Sequence, residues 1–219
     1  MFWHLLLAHF LADYPLQTNW MVANKRQPPV LLLHIGIHFV VMFLIVGASR
    51  WVVWPFLLLL ASIHLIIDVG KITLNARRPD WVVLPYLIDQ ILHVISITGI
   101  AYWTAQSLAT VALPFSPQLA IFATAYLLVT YVWYISERVI TYATPDYRRE
   151  LVAQAWPRMF ARGLFLSGFI WFLGPRLAVQ DNPAVLVAFP YVTGRYGRRA
   201  IAIDLLVAAG GLFFVLWAI

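Results

Sequence analysis

The stretch VLLLHIGIHFVVMFLIVGA, residues 30–48, decides the class of this protein. Its 19 residues carry no charge, and about 20 apolar residues in a helix span the ~30 Å hydrocarbon core of a bilayer. The two histidines in it, His34 and His38, stand four apart. On a helix that spacing places both side chains on one face, a turn from each other. The reading is a membrane helix with a two-histidine stripe.

Working outward, comparable apolar runs predict spans at Trp51–Lys71, Val82–Thr104, Leu119–Ser136, Phe160–Arg176 and Ala200–Ala218. A shorter helix, Phe2–Tyr14, is expected before them, stopped by Pro15. Pro55 and Pro85 are expected in first turns, where a missing N–H costs little. The fold class expected is all-α, a polytopic transmembrane helical bundle of about seven helices. Residues 1–104 would form a four-helix core, and residues 105–219 would add three further membrane helices. The Pro- and Gly-rich connection at residues 177–199 is compatible with a re-entrant segment.

Composition supports this. Of 219 residues, 63% are hydrophobic and 11% charged, with a mean hydropathy of +0.82; a soluble domain carries about 25% charged residues. Ten tryptophans and ten tyrosines suit two membrane–water interfaces. The net charge of +6 comes from arginines in short loops beside apolar runs, where they set topology and meet lipid phosphates, so no nucleic-acid partner is expected. No Lys or Arg precedes Lys25, so the opening helix lacks the basic flank of a signal peptide and reads as retained.

Lys25, Arg26, Lys71, Arg77, Arg78, Arg138, Arg148, Arg149 and Arg158 follow alternate spans. Arg50, Arg176, Arg195, Arg198 and Arg199 fall on the other side. The excess makes the first side cytoplasmic, against the pull of the 195–199 cluster. The localisation expected is the bacterial cytoplasmic membrane.

The two-histidine stripe is one of four such pairs. His9 and Asp13, His64 and Asp68, and Asp89 and His93 share the same spacing. Random placement of these residue types would give about one pair. The pairs lie near the end of the first helix, the start of the second, the end of the third and the start of the fourth. With alternating chain direction all four fall at one depth. Imidazole and carboxylate are the ligands of zinc, iron and manganese, and without cysteine no thiolate competes. His9, Asp13, His34, His38, His64, Asp68, Asp89 and His93 are therefore the candidate ligands of one or two divalent ions, zinc first, iron or manganese as alternatives. The competing reading is a hydrogen-bonded polar layer holding the helices together. His4, five residues before His9, points elsewhere and reads as core or interfacial.

Lys71 continues the His64–Asp68 stripe and, with Lys25, Arg26, Arg77 and Arg78, rims the layer with positive charge, fit for an anionic substrate or for ordinary flanking. Glu137 reads either as a ligand or general base, or as the partner of Arg138 or Arg162. Gln17, Asn19 and Trp20 would line an entrance or form a turn after Pro15.

HFLADYPLQTNW, HLIIDVGK and DQILH, with HIGIH, resemble the signature segments of a bacterial integral-membrane family known as a domain of unknown function. Its motifs fall on His9, Asp13 and Gln17; on His64, Asp68 and Lys71; and on Asp89, Gln90 and His93. The resemblance covers the first hundred residues or so, and ERVI, with Glu137 and Arg138, is similar to a further segment of longer members. It implies kinship of fold and no activity. A fainter likeness to membrane-bound metal-dependent hydrolases implies hydrolysis.

The function expected is a membrane-embedded metal-dependent hydrolase acting near the interface on a lipid or anionic lipid-linked substrate. Asp68, Glu137 and Lys71 are its candidate catalytic groups. A divalent metal-ion transporter is the first alternative, but FVVMFLIVGA and WPFLLLLASI, the far halves of two spans, contain nothing ionisable to continue a path. A di-iron oxidase-type enzyme and a structural scaffold are the others. The sequence leaves a homodimer open.

Overall fold

The computed structural model describes residues 1–108, 111–173 and 198–219 and is helical. The elements are α1 (Phe2–Asp13), α2 (Asn19–Asn24), α3 (Pro28–Ile45), α4 (Arg50–Arg77), α5 (Val83–Ser107), α6 (Pro117–Leu127), α7 (Trp133–Ile140), α8 (Pro145–Ala153), α9 (Ala155–Leu173) and α10 (Arg198–Ala218). One π turn, Leu128–Val132, joins α6 to α7 in a continuous rod. Among the described residues five helical stretches are long and apolar enough to cross a membrane: Pro28–Ile45, Gly47–Arg77, Val83–Ser107, Pro117–Ile140 and Arg199–Ala218. The 177–199 connection lies outside the described residues up to 197, and its last two residues open α10.

The chain forms two compact units, Met1–Ala120 and Ile121–Ile219. The segment beyond α5 is tied to the first unit. His4 Nε2 donates to the Phe115 carbonyl at 2.9 Å, and Ser49 Oγ to that of Ala112 at 2.6 Å.

In the first unit α1 packs on α3 and α5, α3 on α4, and α4 on α5, which closes a ring of four helices. α3 starts on Pro28 and Pro29, whose missing N–H groups are unpaired at a helix start in any case. It ends at Gly47, whose φ of +62° is left-handed, the conformation that closes a helix at little cost only when no Cβ is present. Pro55 lies inside α4 rather than in its first turn, since that helix starts at Arg50, one residue before Trp51. α2 is a single extra turn, capped by Thr18, whose Oγ1 accepts from the Met21 N–H at 3.2 Å.

The burial pattern is inverted relative to a soluble bundle. On α4 the inward stripe is Val53, Leu57, Leu60, Ala61, His64 and Asp68, while Ile66 and Leu58 face outward. On α5, Asp89 and His93 are buried and Ile88, Ile91 and Ile95 are exposed. Polar groups inside and aliphatic groups outside is the arrangement a hydrocarbon solvent imposes.

In the second unit α10 packs on α9 and on the π turn, and α9 packs on the π turn as well. The close approach is made at Gly211, where a Cβ would stand 2.5 Å from Val129 Cγ1 and 3.4 Å from Leu166 Cδ1. Val129 is β-branched and cannot swing aside. Gly211→Ala is expected to destabilise the protein by about 1–3 kcal/mol, read as a lower unfolding temperature in detergent. Gly210→Ala is the control, since its Cβ would meet nothing within 4 Å; equal behaviour of the two variants would refute the close approach.

Candidate metal centre

Each of the four ring helices of the first unit delivers its pair to one layer. α1 contributes His9 and Asp13, α3 His34 and His38, α4 His64 and Asp68, α5 Asp89 and His93, and all but Asp13 are buried to 4% exposure or less. Among the described residues two groups of side chains could each hold a metal ion: Asp13, His34, His38 and His64, and His9, His64 and His93. His64 belongs to both.

The first group is the tighter. Asp13 Oδ1 lies 3.1 Å from His38 Nε2, 3.2 Å from His34 Nε2 and 3.9 Å from His64 Nε2. His34 Nε2 and His64 Nε2 are 3.3 Å apart, and Asp68 Oδ2 stands 3.4 Å from each. Ligands at ~2.0–2.1 Å from a tetrahedral ion are about 3.3 Å from one another, so these separations have the size of a coordination shell. Hydrogen bonds alone serve the group poorly. Two imidazole nitrogens facing each other share at most one proton, and one carboxylate oxygen faces three such nitrogens.

The second group is drier. His93 stacks on His64 with ring centroids 4.0 Å apart, and His9 lies 4.8 Å from His93. Both ring nitrogens of His93 are buried with no hydrogen-bond partner among the described residues, and Nε2 of His9 has only the distant Asp13 Oδ2, at 3.5 Å. Asp89 Oδ1, 3.8 Å from His93 Nδ1, is unpartnered too. Polar atoms left bare at this depth are costly unless a ligand meets them.

Around the ligands runs a layer of groups that orient them. Lys25, delivered by the turn after α2, donates to Asp68, with Nζ 2.9 Å from Oδ1 and 2.8 Å from Oδ2. Lys71 donates to Asp89 Oδ2 at 2.7 Å, and Gln90 to the same oxygen at 2.9 Å. With its amide nitrogen turned to the Asp13 carbonyl and its oxygen to Lys25 Nζ, the orientation that satisfies both groups, Gln17 bridges them at 3.1 and 3.0 Å. Tyr14 donates to Gln90 Oε1 at 3.0 Å and has the Tyr86 hydroxyl at the same distance. Three carboxylates against two ammonium groups leave the layer one negative charge when its histidines are neutral, which favours a cation.

Several of these partners escape sequence reading. Lys25 reads there as part of a cationic rim for an anionic substrate or as ordinary flanking, and nothing in the spacing pairs it with a residue 43 positions away. Tyr14 and Tyr86 read as interfacial aromatics. Their only signal is position, one residue after Asp13 and one helical turn before Gln90. Asn19 and Trp20 start α2, Asn24 Nδ2 donates to the Trp20 carbonyl at 2.9 Å, and Trp20 is exposed. Arg77 is the last residue of α4, and Arg78 stacks on Trp81 at 5.4 Å.

Glu137 belongs to the second unit, in a buried ionic cluster of its own. Arg158 clamps Asp204 through Nε at 3.0 Å and Nη2 at 2.7 Å, and reaches Glu137 Oε1 through Nη1 at 3.1 Å. Arg162 Nη1 lies 3.2 Å from Asp204 and 3.5 Å from Glu137 Oε2. The Tyr147 hydroxyl donates to Glu137 Oε1 at 2.5 Å; burial and that carboxylate push its phenol above the ordinary value. Of the two readings of Glu137, the structure displays the pairing with Arg162, and adds Arg158 rather than Arg138.

A family described as Protein of unknown function (DUF3307) matches residues 1–122, the stretch that contains all eight candidate ligands with Lys25 and Lys71. No curated protein and no solved structure matches the chain. A four-helix ring whose polar layer lies wholly inside the matched residues is thus the structural content of that match, and the chain belongs to the DUF3307 family of proteins of unknown function.

Proposed function

We propose that the first unit is a membrane-embedded, metal-dependent hydrolase with zinc as its ion, acting near the cytoplasmic interface on a lipid or anionic lipid-linked ester. The observation that carries the reading is the convergence of three imidazole Nε2 atoms and two carboxylate oxygens at separations of 3.1–3.9 Å. A nitrogen–oxygen set of this size suits zinc. When bound, the ion would supply a water whose pKa is lowered to about 7 and polarise the scissile carbonyl or phosphoryl oxygen.

The chain's own residues do the rest. His34, His38, His64 and Asp13 would hold the ion. Asp68 faces His34 and His64 with one oxygen while Lys25 holds its carboxylate in place, so it can accept the proton released by the attacking water. Lys71, bonded to Asp89 and more exposed than Lys25 (28% against 15%), is the cation open to an anionic headgroup. Glu137 is neutralised by two arginines and is left out of this scheme.

The test is hydrolysis by the full chain in detergent–lipid micelles, loaded with zinc, of bis(p-nitrophenyl) phosphate and a p-nitrophenyl carboxylate ester. Chelator-sensitive turnover of one of them is expected. Asp68→Asn should lower kcat at least ~100-fold while zinc is still bound. Lys71→Met should raise KM for the anionic substrate and leave that for the neutral one unchanged. A zinc-loaded protein that cleaves neither would leave a metal-binding membrane protein and end the hydrolase reading.

A further inference from the structure

The second unit holds a cavity of about 800 Å³, walled by the π turn, α7, α8 and α10. That is within the ~300–1,000 Å³ of small-molecule sites, and neither the metal centre nor its proposed chemistry uses it. Its two ends differ. Thr141, Thr144, Tyr147 and Arg199 line one, and Leu128, Val132, Val207 and Phe214 line the other. Both α10 and the α6–α7 rod are among the stretches able to cross a membrane. The apolar end therefore lies at the depth of acyl chains and the polar end at an interface.

Length and charge narrow the occupant. From Arg199 to Phe214 the wall follows α10 for about 22 Å at 1.5 Å per residue, enough to pass through the ~15 Å apolar half-thickness of one leaflet and reach its headgroups. The acid on the wall, Glu137, is neutralised by Arg158 and Arg162. Arg199, the other charged residue on the wall, is exposed and has no ion pair among the described residues. The polar end is thus cationic on balance. Deeper on the same wall Trp133 has a buried Nε1–H with no hydrogen-bond partner among the described residues, a donor suited to an ester carbonyl just below a headgroup.

We propose that this cavity binds one anionic membrane phospholipid, with an acyl chain laid along α10 towards Phe214 and the headgroup phosphate at Arg199. A solvent-exposed apolar slot of this size would be a liability in water, and in a bilayer a lipid fills it. The charge selects which lipid.

The experiment is native mass spectrometry of the delipidated full chain in detergent, offered dioleoyl phosphatidylglycerol and dioleoyl phosphatidylcholine at equal concentration. One phosphatidylglycerol should remain bound under activation that strips the micelle, at about tenfold higher occupancy than phosphatidylcholine. Arg199→Gln should bring the two lipids to near parity. Gly210→Leu should lower the occupancy of both at least ~tenfold, because Gly210 lines the cavity and a Cβ there meets nothing within 4 Å. Circular dichroism checks that the variant is folded; should it fail, Val207→Trp blocks the same wall. Equal binding of both lipids by the unaltered chain, or full occupancy in a folded blocking variant, would overturn the proposal.

Discussion

Loaded with zinc in detergent and then desalted, the protein is expected to keep at least one equivalent of metal, and His64→Ala to keep none. His64 is the residue to remove because both ligand groups include it. His38→Ala and His93→Ala each touch a single group, so comparing the three variants by elemental mass spectrometry separates one ion from two. Loss in His38→Ala with retention in His93→Ala assigns the ion to the group around Asp13. A lost ligand should weaken binding at least ~100-fold, since even changes to orienting partners cost 10–100-fold. Metal bound only to the folded chain also stabilises it, by about 4 kcal/mol at a thousandfold excess over Kd; chelation should therefore lower the unfolding temperature of the unaltered protein and leave that of His64→Ala unmoved. No metal after loading, together with a chelator-insensitive unfolding temperature, would reduce the layer to hydrogen-bonded contacts between helices and remove the hydrolase reading with it.

Arg158→Met is expected to destabilise the protein by about 3–5 kcal/mol, the largest effect on folding among the substitutions considered. Arg158 is buried and serves two acids at once, Asp204 through a fork of two N–H groups and Glu137 through a third. Methionine fills similar space, so the loss reflects charge more than packing. Arg162 would then face both carboxylates alone, and one negative charge would stay buried without compensation. Arg158→Lys should rescue little, because a single ammonium cannot reproduce the fork. Adding Asp204→Asn to Arg158→Met should recover part of the stability, since it removes the charge left unpaired. Thermal unfolding in detergent reads all three. A loss below about 1 kcal/mol in Arg158→Met would mean that the cluster is hydrated and the ionic argument is wrong.

The four ring helices of the first unit, their order and the convergence of their pairs on one layer are legible in the sequence. The short helices α2 and α8 are not, and the expected span Phe160–Arg176 is not among the five stretches of the described residues able to cross a membrane. In a bilayer each span must satisfy its own backbone, so apolar length reports a helix directly, and the i, i+4 spacing reports a shared face. His9 with Asp13 and His64 with Asp68 could be read as stripes for that reason alone. Boundaries were less legible where they rest on contacts. The segment after α5 is held to the first unit by His4 and Ser49, contacts that no local pattern announces.

Determined by the sequence alone, then, are the membrane class, the all-helical bundle, the residue types available to a cation, and the depth at which they sit, since all of these follow from local periodicity and solvent. Tertiary structure alone decided which nitrogen meets which oxygen: that Asp13 faces three histidines, that His64 is shared, that Lys25 holds Asp68, and that Glu137 is held by Arg158 and Arg162. The ion pairs among them join residues from 21 to 51 positions apart. Their energies depend on separations of about 3 Å between side chains, and no periodicity within one helix encodes how far away the next helix stands.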